Sequence, residues 1–197
     1  MRPQARPEIL SSPRQRGAAV IETAIVLPCF LLLLLFPLEY CRALYVFAAC
    51  QEATRSIARM ASVTRFNDPA AMKAVVEQAL AGGTGKAEVP LSGGIGAAHV
   101  RIDYLGIGAR GVVGAVSTAG HTPEKNFTAC AQVPAAANCI RLVRVRLCRP
   151  GVAACEAPKY VPLVPGLAWS AGIVEVPKST TMTPAESLGA RYPCTGC

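Results

Sequence analysis

Cys194-Thr195-Gly196-Cys197 has the C-x-x-C spacing of redox centres and of half a zinc site, so thiol or metal chemistry is the first possibility to weigh. Neither fits its setting. A thioredoxin-like pair opens a helix after a strand, whereas this one ends the sequence. A single C-x-x-C supplies only two of four zinc ligands, and His99 and His121 are isolated and lack ligand spacing. A structural disulfide is the expectation, with no metal. Acid, base and nucleophile constellations are also missing: no H-E-x-x-H occurs, no serine sits in a G-x-S-x-G elbow, and no nucleotide-binding glycine motif follows a strand. With two histidines and scattered acids, general acid–base catalysis has no obvious site. The expectation is a protein with no catalytic residue and no cofactor.

The other chemically pointed residue is Glu22. It is the only charge among the 21 residues from Ala18 to Leu38, and it follows Gly17 after four apolar positions. At 1.5 Å rise per residue a helix of that length spans roughly the 30 Å hydrocarbon core of a bilayer. A charge deep in such a span costs ~2.5–3.5 kcal/mol on insertion scales, which calls for a partner. If the chain were cut after Gly17, Ala18 would carry a new α-amine four positions from Glu22, on the same helix face. An amine at a helix N-terminus opposes the macrodipole, and a nearby carboxylate relieves that. The alternative is a glutamate at the headgroup boundary that stays solvated, because it lies only ~6 Å inside the span.

Charge orients the span. Residues 1–17 carry Arg2, Arg6, Arg14 and Arg16 against Glu8, a net +3, which keeps the short N-terminus cytoplasmic and exports the chain beyond Leu38. A cleaved signal peptide fits less well: the flank reads Glu39-Tyr40-Cys41-Arg42, with no small-x-small site, and the apolar run exceeds the usual h-region. A lipoprotein site at Phe47-Ala48-Ala49-Cys50 has an aromatic ring where a small aliphatic residue is wanted.

Three blocks then carry a resemblance: Arg16-Gly17-Ala18-Ala19-Val20-Ile21-Glu22-Thr23-Ala24-Ile25-Val26-Leu27-Pro28 with Leu31 to Phe36, Glu39 to Tyr45, and Glu52-Ala53-Thr54-Arg55-Ser56-Ile57-Ala58-Arg59. Together they resemble the TadE-like proteins, minor pseudopilins of the tight-adherence (Tad) pilus machinery, whose type IV pilin-like precursors are cut after the glycine. Thr23 departs from the aromatic or bulky residue common there. The resemblance implies processing at Gly17 and Ala18, and partners among other pilin-like subunits, a prepilin peptidase and an inner-membrane assembly platform. It also implies a single-pass protein of the bacterial inner membrane, N-terminus cytoplasmic and C-terminal domain periplasmic, which assembles an adhesion or secretion pilus or enters one. An alternative of another class is a single-pass envelope protein whose external domain binds a ligand or carries thiol chemistry, with Glu22 incidental.

Beyond the span, Val46, Ala49, Cys50, Ala53, Ile57, Met60 and Ala61 recur at helical spacing opposite Gln51, Glu52, Arg55, Arg59 and Ser62. Residues 18–63 therefore read as one helix, with Pro28 and Pro37 inside it as possible bends. The small-sided stripe is either core for an external head or, at Val46, Ala49, Cys50, Ala53 and Ile57, a surface that packs with Glu22 against neighbouring subunits. Asp68 caps a second helix that starts at Pro69 and ends before Gly82-Gly83. Strands are expected at His99 to Ile107, Ile140 to Cys148 and Tyr160 to Val164, with a weaker one at Ile173 to Val176. In Val143-Arg144-Val145-Arg146-Leu147 the arginines alternate onto a wet face; a solvated sheet face is preferred there over a nucleic-acid surface.

The expected fold is α+β: a long N-terminal transmembrane and amphipathic helix packed on a small antiparallel-sheet head with disulfides. Its parts are a cytoplasmic leader at 1–17, a transmembrane helix at 18–38, its continuation at 39–63, an exported head at 64–176 and a loop-rich tail at 177–197. Nine cysteines suit an oxidising compartment. Of the 15 pairings that six cysteines allow, the short-range set Cys130 with Cys139, Cys148 with Cys155 and Cys194 with Cys197 is favoured. Cys29 should stay a free thiol. Asn126-Phe127-Thr128 fits an N-glycosylation pattern by coincidence. The net charge of +8, of which +5 lies beyond Gly17, suits contact with anionic surfaces such as membrane lipid, without specificity.

Overall fold

A computed structural model describes residues 15–81, 87–133, 135–163 and 175–190. It is α+β. Helix α1 runs Gln15–Val63 and α2 runs Pro69–Ala81. A short 3-10 turn at Ala97–His99 leads into β1 at Val100–Ile107, followed by β2 at Val113–Ala115 and helix α3 at Pro123–Gln132. Strands β3 at Leu142–Leu147 and β4 at Thr180–Pro184 complete the elements. The strands form one antiparallel sheet in the order β2-β1-β3-β4. The chain divides into two compact units, up to Tyr40 and from Cys41 onward, and the latter is the head.

Local chemistry explains where the helices begin. Asp68 Oδ1 accepts from the backbone N–H of Ala70 at 3.0 Å and of Ala71 at 3.1 Å, which caps α2, and Pro69 occupies its first position. Thr122 does the same for α3 by accepting from Lys125 N–H at 3.3 Å, with Pro123 next. Helix α1 continues through Pro28 and Pro37. Each proline removes one ladder donor, a loss that membrane helices tolerate better than exposed ones.

The sheet's inner face supplies the core. Val143, Val145 and Leu147 alternate inward from β3 and form one buried cluster with Val46, Cys50, Ile57, Ala58 and Ala61 of α1 and Leu80 of α2. On the outer face Arg144 and Arg146 converge on Asp103 of β1 at 3.1 and 2.6 Å, with Arg101 at 3.6 Å. The arginine face is thus an ion-pair network built around one aspartate.

Two expectations about the strands are corrected. The segment 177–197, read as a loop-rich tail, contains β4, which pairs with β3 in the register Val143↔Thr183 and Val145↔Thr181. Its residues are threonines rather than apolar ones: the Thr181 hydroxyl shares a 3.0 Å hydrogen bond with that of Thr54 on α1, and Thr183 donates to Ala58 O at 3.4 Å. Polar, β-branched side chains bonding to a helix satisfy an inner face without the apolar alternation that marks most strands. Conversely, no strand forms over 160–163. The pairing there is a single bridge, Lys159↔Glu175, and Val161 O accepts instead from Arg42. Val164, Ile173 and Gly82-Gly83 lie outside the described residues, as do Cys194 and Cys197 with the disulfide expected for them.

Candidate functional site

Among its described residues the first unit is helix from Gln15, and residues 17–34 are all exposed, whereas Glu39 near its end is buried. Gly17 lies in the first turns of α1, and a Cβ built there would meet nothing within 4 Å. Glycine is also the residue that most weakens a helix interior after proline, by about 1 kcal/mol relative to alanine. Ala18 and Glu22 are both exposed and separated by one helical repeat. The Thr23 hydroxyl donates to Ala19 O at 2.7 Å, so that side chain carries no unmet donor into an apolar setting. Glu22, Thr23, Val26, Leu27 and Phe30 line a shallow groove along the helix. Val20 and Leu33 are 69% and 72% exposed, and the segment is apolar and long enough to cross a membrane.

From Cys41 onward the helix has a different role. Val46, Cys50 and Ile57 have no exposed surface, and Ala53 keeps very little. The stripe expected to meet neighbouring subunits is therefore filled from within the chain, because a side chain with no exposed surface cannot pack against a second molecule while the head stays folded. Ala49 is half-buried; with Tyr45, Ala48, Glu52, Leu80 and Pro90 it lines a groove of about 440 Å³. Burial pushes the Cys50 thiol up to about 11, which leaves it unreactive at neutral pH. Cys29 and Cys41 are exposed free thiols.

The head is tied at three places. Cys130–Cys139 joins the end of α3 to the approach to β3, and Cys148–Cys155 closes the loop after β3. Buried Asn126 pairs with the backbone of Ile140, accepting from its N–H at 2.7 Å and donating to its carbonyl at 3.2 Å. This use of both amide groups leaves the asparagine no room to carry a glycan. At the end of α1, Ser62 O accepts from Glu186 N–H at 3.3 Å and Leu188 N–H at 2.9 Å, so the segment after β4 caps the helix.

Charge at this end is organised by Arg65, which meets Glu124 at 2.9 Å and donates to Gly189 O at 3.1 Å. The Glu124 carboxyl is held below its ordinary value first by its own backbone N–H and also by hydrogen bonds from Arg65 and Thr122, against an opposing effect of desolvation. Both histidines have structural contacts: His99 Nδ1 accepts from Gly96 N–H at 3.3 Å, and His121 stacks on Phe66 with centroids 6.0 Å apart. Among the described residues no three His, Cys, Asp or Glu side chains group as metal ligands.

Sequence reasoning missed α3, although Thr122-Pro123-Glu124 is a helix-start signal, and with it the Asn126 tie and the Arg65–Glu124 pair. No curated protein and no solved structure matches the chain. A family model does match residues 17–59, which contain Gly17, Glu22, the apolar run and most of the buried stripe of α1. The model is that of the TadE-like proteins, and it is this stretch of α1 alone that is similar to them.

Proposed function

We propose that the chain is a minor pseudopilin that takes part in assembling a Tad pilus. A prepilin peptidase removes the arginine-rich leader after Gly17 on the cytoplasmic side. The mature helix then starts at Ala18, crosses the inner membrane once and carries the head on the periplasmic side. Glu22 pairs with an N-terminal amine, its own or a neighbour's, and sets the register in which pilin-like helices pack at the assembly platform. The protein catalyses no reaction and needs no cofactor.

The observation that carries this reading is the position of Glu22: the single charge of a 21-residue apolar run, four residues from the candidate new terminus, inside the TadE-like match. The outward apolar side chains of the span and the net +3 leader support insertion in that direction. Because the stripe from Val46 to Ala61 is taken up by the head, helix contacts with other subunits are assigned to residues 18–38. Replacing Glu22 with Ala is expected to abolish co-purification of pilin-like subunits from detergent-solubilised membranes, with the head still folded. Unchanged co-purification would remove Glu22 from the mechanism.

A further inference from the structure

The head's sheet ends in a strand whose outer edge faces away from its neighbour. In the order β2-β1-β3-β4, strand β4 is one of the two edges. Ala185 N–H donates to Arg141 O at 2.8 Å and Leu147 N–H donates to Ser179 O at 3.3 Å, so the ladder with β3 uses the backbone of the odd-numbered residues of this segment. Thr180, Met182 and Pro184 therefore turn their backbone polar groups the other way. All three are exposed. Pro184 has no N–H to leave unpaired on that side, which is the placement that sheet prolines favour. From behind, the Thr54–Thr181 and Thr183–Ala58 hydrogen bonds hold the strand to α1, so the edge is presented on a fixed backbone.

Side-chain charge is antisymmetric about this edge. Lys178 and Glu186 stand four residues to either side of Met182; both are exposed, and among the described residues neither forms an ion pair. Met182 itself is 51% exposed. An antiparallel two-fold pairing centred on Met182 sets 180 opposite 184 and 178 opposite 186 of a second copy, so each lysine meets the other copy's glutamate. A pairing centred on Thr181 or Thr183 would instead set Lys178 opposite Pro184 or Leu188 and leave the charges unmatched. An edge with opposite charges at mirrored distances from its centre matches itself, which is the condition an isologous contact imposes.

We propose that two copies of the chain pair edge to edge through β4, antiparallel about Met182, so that their sheets join into one. Met182 exchanges both backbone bonds with its counterpart. Thr180 N–H donates to Pro184 O across the junction, and the proline's missing N–H ends the ladder there. The Lys178–Glu186 pairs lie at the surface, so they fix the register more than the affinity. The inference concerns the head and depends neither on processing at Gly17 nor on Glu22.

The test uses the full chain in detergent micelles, with Cys29, Cys41, Cys194 and Cys197 replaced by Ser and single cysteines added. Residues paired across such a ladder lie about 5.5 Å apart at Cα, within disulfide reach. Met182→Cys should oxidise to a covalent dimer several-fold more than Val113→Cys, on the exposed opposite edge. Thr180→Cys and Pro184→Cys should each crosslink poorly alone and well when the two chains are mixed. Equal yields at 182 and 113, or a mixture no better than its parts, would overturn the pairing. Lys178→Glu should lower the Met182→Cys yield several-fold, and adding Glu186→Lys should restore it; an unchanged yield in the first or no recovery in the second would contradict the register. A yield that falls with Glu22→Ala but ignores Lys178→Glu would assign the contact to the helices and overturn the proposal.

Discussion

The two halves of α1 are both apolar, yet they end in opposite environments. Residues 18–38 are built from Leu, Ile, Val and Phe and turn those side chains outward, whereas the buried stripe from Val46 to Ala61 is mostly Ala, Cys and other small residues. Side-chain size separates them more than hydrophobicity does. Bulky, unbroken apolar surface suits fluid hydrocarbon, while a small-sided stripe lets a sheet approach the helix backbone to protein packing density. The contact between Thr54 and Thr181 depends on that closeness, because two short hydroxyl side chains bridge helix and sheet at 3.0 Å.

Substitutions that exchange the two environments should break this contrast. The largest effect is expected for Ile57→Ala, which empties a fully buried site and should cost about 2–5 kcal/mol in denaturant unfolding of the head, while Leu32→Ala in the span should leave it within about 0.5 kcal/mol. Next comes removal of Cys130–Cys139 through paired serine substitutions, which should cost about 2–3 kcal/mol for a loop of that size, read as a lower unfolding midpoint without reductant. Gly189→Ala should cost about 1–3 kcal/mol: the glycine has φ 71°, and an added Cβ would lie 2.5 Å from Arg65 N, which disturbs the cap of α1.

The smallest effect concerns pH. Because the folded-state value of Glu124 is lowered, the stability it contributes is present above the ordinary carboxylate range and is lost as pH falls through the lowered value. Melting curves of Glu124→Gln should therefore coincide more closely with the parent at about pH 3 than at about pH 6. A difference that grows on acidification would show the sign to be wrong.

Elements with helical periodicity or apolar alternation were legible in the sequence: α1, α2 with its Asp68 cap, β1 and β3. The rest obeyed other rules. Strand β4 is recognisable only as a β-branched threonine run, since its inner face bonds to a helix rather than burying hydrocarbon. The three residues of β2 are all exposed and carry no pattern. At the candidate site, Gly17, Ala18 and Glu22 could be read directly because they lie within one and a half helical turns. Arg42 could not, since its partners Leu91 and Val161 are 49 and 119 residues away and are backbone carbonyls, to which any residue type contributes equally.

The central claim is that the outward half of α1 becomes a pilin-like helix by losing its leader. Intact-mass analysis of the polypeptide isolated from a host with an active prepilin peptidase tests it most directly. A mature chain beginning at Ala18 is the predicted result; a chain that retains its arginine-rich leader from Met1, or is cut far beyond Leu38, would contradict it.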